Sequence, residues 1–199
     1  PFLAGLKTLP WTAAPMVVAP IAGAVLYPRY GGRPLLTIGL ALQSVAMLYL
    51  YFVTDVGTAY LTFIPGFVMA GVGMGLVFSP SASMILDAVK DREAGQASGA
   101  ASTLREVGGV FGVAVMATVF QSNGSYVSPQ AYSDGVTSAL PVAVGVLAVG
   151  AIAGALLPGK RALDAIAAKK AAAAEAEDRA DRATAPVVAV DADKALARV

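Results

Sequence analysis

Charged residues are absent from long stretches of this chain. Val56–Leu86 holds 31 consecutive uncharged residues, and Val107–Ser133 holds 27 more. About 20 apolar residues are enough to cross a bilayer as an α-helix, and helices in soluble cores rarely need so many. Between these two runs lies the charged turn Asp87–Glu93, which is too polar for the hydrocarbon interior. The pattern therefore predicts a helical hairpin that crosses a membrane, turns in water and crosses back.

The same reasoning, applied to the whole chain, predicts an all-α fold, a polytopic transmembrane helix bundle with five spans. Short polar loops separate the spans, and Pro158-Gly159 ends the last one. The first span contains three prolines, which neighbouring helices and local backbone adjustments accommodate in a membrane bundle. We expect the bundle to occupy residues 1–158, with spans A to E at about 8–28, 34–54, 60–86, 96–120 and 136–157.

Composition supports a membrane body with a solvated tail. The chain is 57% hydrophobic and 14% charged, whereas soluble domains carry about 25% charged residues. Of the 27 formal charges (14 basic plus 13 acidic), 15 follow Leu157. We therefore predict that residues 159–199 form a cytoplasmic, Ala-rich charged tail, part helical and part disordered. A net charge of +1 with both signs mixed in the tail gives no indication of nucleic-acid binding.

Two residue types that carry much of enzyme chemistry are missing. The chain has no Cys and no His, so thiolate and imidazole ligands or bases are not available. No nucleophile–base pair or metal-ligand cluster is visible in the sequence. We therefore expect neither an enzyme nor a bound metal or cofactor.

The distribution of Lys and Arg predicts the orientation of the spans. With five spans, the A–B loop, the C–D loop and the tail share one side. That side carries Arg29, Arg33, Lys90, Arg92, Lys160 and Arg161. Loops 55–59 and 121–135 contain no Lys or Arg, and Lys7 alone opposes the trend. We predict a cytoplasmic C-terminus and an external N-terminal end, and the start at Pro1 rather than Met predicts a piece of a longer polypeptide.

Arg105 and Glu106 form the one charged pair inside a predicted span. At 1.5 Å per residue, Arg105 lies about 22 Å from Phe120 along span D, near the cytoplasmic boundary. Ionisable residues within a membrane are functional candidates. The alternative is an interfacial pair that reaches water and fixes the depth of the helix. On this estimate no carboxylate lies at mid-depth to relay protons.

Glycines at small-xxx-small spacing predict close helix packing. Gly71, Gly73 and Gly75 also resemble a phosphate loop, but no strand precedes them and no GK[ST] follows. Helix packing is therefore the favoured interpretation over nucleotide binding. The packing pairs are Gly71 with Gly75, Gly108 with Gly112, and Gly150 with Gly154.

Large adaptable side chains in the spans are candidates for the lining of an apolar cavity. Met and aromatic side chains fit varied apolar ligands, and the alternative is lipid-facing or interhelical packing. The candidates are Trp11, Met16, Met69, Met74 and Phe78.

Several motifs, in this order, resemble the major facilitator superfamily, and more closely its 14-helix drug:proton antiporters of the EmrB/QacA type. The resemblance covers about residues 4–157. The segments that carry it are Leu9-Pro-Trp-Thr, Ala19-Pro-Ile-Ala-Gly23, Arg29-Tyr-Gly-Gly-Arg-Pro34, Gly71-Val-Gly-Met-Gly75, Ala94-Gly-Gln-Ala-Ser-Gly99 and Arg105-Glu-Val-Gly-Gly109.

The resemblance implies that spans A to E are the last five helices of a transporter. The chain would be the C-terminal half of a proton-coupled efflux transporter in the cell membrane, working by alternating access. Its partners would be the lipid bilayer, an N-terminal half with the proton-coupling acids, protons, and a hydrophobic or cationic small-molecule substrate. A truncated, non-transporting membrane scaffold or oligomerising protein is the alternative, and nine further spans upstream would favour the transporter.

The resemblance also assigns a role to the turn between spans A and B. Arg29, Gly32 and Arg33 fall where the family's G-x-x-x-D-R-x-G-R-R loop, a conformational switch, recurs in the C-terminal half. Pro28 replaces the acidic residue of that loop. A salt bridge from this loop to a helix is therefore not expected at this position.

Overall fold

The structure is a computed structural model that describes residues 2–89, 91–157 and 159, together with positions 165, 168, 172, 176 and 179. Residues 1–159 form one compact unit and residues 160–199 a second. Most of the predicted charged tail lies outside the described residues, so its helical and disordered parts stay a prediction.

The described part of the first unit is helical. Among the residues that the structure describes, five helical segments are long and apolar enough, by length and composition, to cross a membrane, and the first of them spans Leu9–Tyr30. The five-span prediction is therefore confirmed. The helices are α1 (Phe2–Ile21), a π-helical segment (Ala22–Leu26), α2 (Tyr27–Tyr30), α3 (Gly32–Val53), α4 (Tyr60–Asp87), a 3₁₀ turn (Asp91–Glu93), α5 (Ala94–Asn123) and α6 (Pro129–Leu156).

The connection between α5 and α6 is shorter than the loop predicted at 121–135. Helix α6 begins at Pro129, because Ser128 caps it by accepting a hydrogen bond from the Ala131 backbone N–H at 3.1 Å. Proline is well suited to the first helical position, where a missing N–H costs nothing. The polar residues after Ser128 thus form the first turns of a helix rather than a loop.

Proline positions in α1 coincide with an irregular backbone. Pro10, Pro15 and Pro20 lie inside the helix, and the π-helical segment follows directly after Pro20 and Ile21. A proline removes one backbone donor and clashes with the preceding turn. A local switch from α to π hydrogen bonding is one way in which a membrane helix absorbs this defect.

Helix α3 lies between α4 and α6 and contacts both extensively. Its backbone closely approaches that of α4 at Gly39, where an added Cβ would lie 2.8 Å from the carbonyl oxygen of Gly73. Two hydrogen bonds also join α3 to its neighbours, from Ser44 Oγ to the Val144 carbonyl at 3.1 Å and from Tyr49 Oη to the Thr62 carbonyl at 2.9 Å. Close glycine contacts and interhelical hydrogen bonds are the usual means of association between membrane helices.

Helix α5 lies at the edge of the bundle. It packs along α6 and touches α4 at fewer positions, and none of its described residues is buried. Large apolar side chains on it are consequently open, including Leu104, Val110 and Phe111, each about 70% exposed (72%, 70% and 69%).

Candidate functional site

The turn between α2 and α3 requires glycine at two successive positions. Gly31 adopts φ of 80°, a left-handed backbone conformation that favours glycine. A Cβ on the next residue, Gly32, would collide with the sulfur of Met84 near the end of α4. The predicted switch loop is thus held tightly against α4.

A hydrogen bond links the same turn to the end of α4. Tyr27 Oη donates to Asp87 Oδ2 at 2.5 Å, across 60 positions of sequence. The turn between α2 and α3 and the turn between α4 and α5 therefore lie at one end of the bundle. We call it the arginine end, after Arg29, Arg33 and Arg92. Asp87 provides, from α4, a carboxylate that the loop itself lacks because of Pro28.

The two arginines of the predicted switch loop are exposed. The guanidinium of Arg29 lies 5.6 Å from the ring centroid of Tyr30, within the range of a cation–π contact. A guanidinium nitrogen of Arg33 lies 3.7 Å from the Cβ that Gly159 would carry. Their positive charges remain accessible at the arginine end.

The charged pair lies near the middle of α5, and the sequence estimate measured its depth from one end of the predicted span. That estimate used Phe120 as the end of the helix, but α5 runs from Ala94 to Asn123. Its midpoint falls between Gly108 and Gly109, so Arg105 and Glu106 lie only about 5 and 4 Å from the middle of the helix. With 30 residues, α5 is longer than the about 20 that cross a bilayer, so its midpoint does not give the depth of the pair in the membrane. The placement near the cytoplasmic boundary therefore stays a prediction.

Arg105 and Glu106 face different surroundings. The guanidinium carbon of Arg105 lies 4.7 Å from the ring centroid of Phe78 on α4, a cation–π geometry. Glu106 borders a shallow groove on α5 together with Val110 and Val113. Neighbouring helix residues do not face each other, so the side chains diverge from adjacent positions.

Three glycines on α4 pack against two neighbouring helices, α1 and α3. A Cβ at Gly71 would lie 2.7 Å from the Trp11 carbonyl oxygen, and one at Gly75 would lie 2.8 Å from Val18 Cβ, both on α1. Gly73 instead faces Gly39 on α3, at 2.6 Å from its carbonyl oxygen. A spacing of two residues turns the helix by about 200°, which explains why Gly73 points away from the other two.

The remaining small-xxx-small pairs differ from each other. Gly108 and Gly112 have no atom within 4 Å of an added Cβ among the described residues. Across the α3–α6 interface, a Cβ added at Gly150 would lie 3.4 Å from Leu40, an ordinary contact, and one added at Gly154 would lie 3.3 Å from Thr37, a tight contact. The packing role of Gly108 and Gly112 stays a prediction, since no described helix occupies the space next to them.

The five candidate cavity residues do not share one surface. Trp11 stacks on Phe67 with a centroid distance of 6.5 Å, whereas Phe78 faces Arg105. Met16 is 78% exposed. On α4, Met69 and Met74 are five residues and about 140° apart. The cavity-lining role of these residues stays a prediction, and none of them lines the depressions along α5.

Sequence reasoning missed two contacts in this region. The Tyr27–Asp87 hydrogen bond joins residues 60 positions apart, and no local sequence pattern predicts such a contact. Gly39 was missed because it lacks a second small residue at the i+4 spacing. The sequence did hold a signal for it. Gly73 lies between Gly71 and Gly75 but on the opposite face of α4, which indicates a second helix in close contact with α4.

Comparison with known proteins gives a consistent result. The profile of the Major Facilitator Superfamily matches residues 2–113. The chain is 33% identical over 123 residues to a probable actinorhodin transporter of Streptomyces coelicolor, which is 60% of this chain and 21% of that protein. It is 33% identical over 119 residues to the multidrug resistance protein Stp of Mycobacterium tuberculosis, with 60% and 22% of the two chains covered.

A longer match is found with a puromycin resistance protein of Streptomyces alboniger, 31% identical over 164 residues, or 76% of this chain and 33% of that protein. The chain thus spans about a fifth to a third of the length of these relatives. No solved structure matches. The family profile covers more than half of the 199 residues, and the chain belongs to the Major Facilitator Superfamily.

Proposed function

We propose that this chain is the C-terminal half of a proton-coupled efflux transporter for hydrophobic or cationic small molecules, of the 14-helix drug:proton antiporter type. The observation that carries the proposal is family membership, with relatives named for antibiotic transport and drug resistance. Five apolar helices in one compact unit provide the membrane body. The cell membrane is the proposed location, with the arginine end and the C-terminus in the cytoplasm.

The proposed mechanism is alternating access with an N-terminal half of the same transporter. In such transporters, two helical bundles rock around a substrate site between them. Two features of this chain support a role as one rocking bundle. Helices α1, α3, α4 and α6 are joined by extensive contacts, and α5 presents a wide apolar face that no described residue covers.

The turn with Arg29, Gly32 and Arg33 is the proposed conformational switch of this half. Tyr27 and Asp87 take the place of the loop carboxylate that Pro28 has removed. A hydrogen bond between a neutral hydroxyl and an exposed carboxylate is easier to break than a buried ion pair, because neither partner is left as an uncompensated buried charge. The switch would therefore hold one conformation weakly and release it at low cost.

The decisive experiment is proton-gradient-driven export of a lipophilic cation dye from proteoliposomes. We expect export by the full-length transporter, and no export above empty liposomes by the 199-residue chain alone, because alternating access requires the opposing bundle. Gradient-dependent export by the isolated chain would overturn the half-transporter assignment. Absence of export by the full-length protein, tested over several dye classes, would overturn the transport function itself.

The same full-length assay tests the role of Arg105. If its charge contributes to the transport cycle, Arg105→Ala lowers the rate of export while the amount of folded protein in the membrane stays unchanged. Export at the wild-type rate would assign Arg105 to anchoring of α5. Arg92→Ala, on the exposed 3₁₀ turn between α4 and α5, provides the matched removal of a positive charge outside the spans.

A further inference from the structure

Two shallow depressions adjoin each other along one side of α5 and form an open groove. We call the part at the middle of α5 the inner part and the part towards the α5–α6 connection the outer part. The inner part, of about 480 Å³, is lined by Glu106, Gly109, Val110, Val113 and Ala114. The outer part has a volume of about 600 Å³ and lies between α5 and α6. The two parts share Gly109 and Val113, so together they form one feature, which we call the α5 groove.

Glycines in the middle and a tight contact at the end give the groove its shape. Gly109 and Gly112 leave an open strip, with no described atom within 4 Å of an added Cβ. At the outer end, Gly124 and Gly135 approach so closely that neither position has room for a side chain. Phe120 covers Gly135 there, and its ring lies 5.1 Å from that of Tyr126. The groove is therefore open along the glycine strip and lined by the aromatic rings of Phe120 and Tyr126 at its outer end.

Glu106 provides the only charge among the residues that line the groove in the described structure. Arg105 of the same helix lies over Phe78 of α4 instead. On α6, Asp134 accepts a hydrogen bond from Gln130 at 3.2 Å and does not line the groove. Tyr126 is the other titratable lining residue. A single negative charge thus lies at the inner end, and apolar or aromatic surface continues from it.

The distance between the Glu106 carboxylate and the aromatic rings at Phe120 indicates how long a ligand of the groove can be. From Glu106 to Phe120 the helix rises about 21 Å, most of it bordered by Gly, Ala, Val and Met. A carboxylate in a medium of low dielectric gains from a nearby positive charge far more than it would in water. Apolar walls alone discriminate poorly, because lipid chains are as apolar as the groove itself. The charge, and not the apolar lining, is what selects a ligand.

We propose that the α5 groove binds extended lipophilic monocations, with the positive nitrogen at Glu106 and the apolar body along Gly109–Phe120. This inference rests on the proposed export of hydrophobic or cationic molecules and assigns a place for their recognition in this half. An anion is excluded from the inner end by the charge of Glu106. A neutral lipid chain fills the same space without a partner for the carboxylate.

The test uses protection of single cysteines, because the natural chain has none. Val110→Cys lies in the groove, and Val146→Cys on α6 is the matched control outside it; the two valines are 70% and 68% exposed. The 199-residue chain is placed in lipid nanodiscs and alkylated with membrane-permeant N-ethylmaleimide. Dodecyltrimethylammonium is added below its micelle-forming concentration, and dodecanol is the uncharged comparison.

We expect the cation to slow the alkylation of Val110→Cys and to leave Val146→Cys unchanged. In Glu106→Gln the concentration needed for half-protection rises about tenfold, the usual effect of losing one charge-assisted contact. Glu106→Asp keeps the charge and keeps the protection, which separates charge recognition from a folding defect. Equal protection by dodecanol, or undiminished protection in Glu106→Gln, overturns the proposal.

The outcome is independent of the transport assay. Protection by the cation in a chain whose full-length form exports nothing supports the groove and refutes the proposed function. Export by the full-length protein without any protection at Val110→Cys refutes the groove and leaves the transport function standing. Gly112→Leu, which places a side chain in the open strip, gives a second check, because it abolishes protection whereas Gly145→Leu, an equally open glycine on α6, retains it.

Discussion

Tyr27 Oη donates a 2.5 Å hydrogen bond to Asp87 Oδ2 and thereby ties the π-distorted end of the first span to the end of α4. The bond lies beside Gly32, which already packs under Met84. The turn is thus fixed by one polar contact and one close apolar contact. Loss of the polar contact alone tests how much it contributes.

We predict that Tyr27→Phe lowers the free energy of unfolding by about 1 kcal/mol, the usual net contribution of one hydrogen bond. Asp87→Asn tests the same contact from the other partner, and the double variant tests whether the two effects are coupled. Unfolding in mixed micelles with rising dodecyl sulfate gives the measurement. Tyr30→Phe is the control, because Tyr30 stays 57% exposed. Full additivity of the two single changes would show that the hydrogen bond contributes nothing in the membrane-mimetic state.

The glycines should fall into two classes on substitution. Gly71→Leu and Gly75→Leu place a side chain against the α1 backbone and should reduce the yield of folded protein, since overpacking costs about 1–3 kcal/mol or more. Gly108→Leu and Gly112→Leu should be tolerated, because no described atom lies within 4 Å of the added Cβ. Yields after detergent extraction, compared with Gly145→Leu, give the measurement.

A low yield for Gly112→Leu in the 199-residue chain, equal to that of Gly71→Leu, would contradict this division. It would mean that a second surface, from a further copy of the chain, packs on α5. The number of subunits in the detergent complex, measured by light scattering, would then rise above one for the wild-type chain.

The fold class could be predicted from the sequence because an apolar run of more than 20 residues indicates a span without knowledge of its neighbours. Helix ends were less certain. The start of α6 was placed seven residues late, because Asn123-Gly124 and Pro129 indicated turns in a polar loop, whereas Ser128 and Pro129 form the cap and the first residue of the helix. Helix α5 likewise begins two residues before the predicted span 96–120 and ends three residues after it.

The site was less predictable than the fold, because its contacts join distant segments. Arg105 and Phe78 were each named from the sequence for separate reasons, yet only the packing of α5 on α4 shows that they meet. The pairing of Tyr27 with Asp87 likewise depends on how two turns align at the arginine end. Periodicity along one helix gives no information on such partners.

The proposed orientation predicts a labelling pattern for single cysteines. Tyr30→Cys and Ala88→Cys lie at the arginine end and should resist an impermeant thiol reagent in intact cells. Val127→Cys lies in the α5–α6 connection, where the natural side chain is 92% exposed, and should react at once. After permeabilisation all three should react. The reverse pattern in intact cells would place the arginine end outside the cell.

The contact between Arg105 and Phe78 predicts a measurable coupling. A guanidinium 4.7 Å from a ring centroid contributes about 1 kcal/mol, and about 2 kcal/mol where water is excluded. Arg105→Gln and Phe78→Leu should each lower the free energy of unfolding, and the double variant should lose about 1 kcal/mol less than the sum. Phe78→Tyr keeps a π face and should retain most of the coupling.

The matched control is Phe111→Leu on α5, where the natural ring is 69% exposed, because a change at that position should add to Arg105→Gln without coupling. Strict additivity for Phe78→Leu and Arg105→Gln would show that the guanidinium does not stay on the ring, and would favour an Arg105 side chain that extends to water and sets the depth of α5.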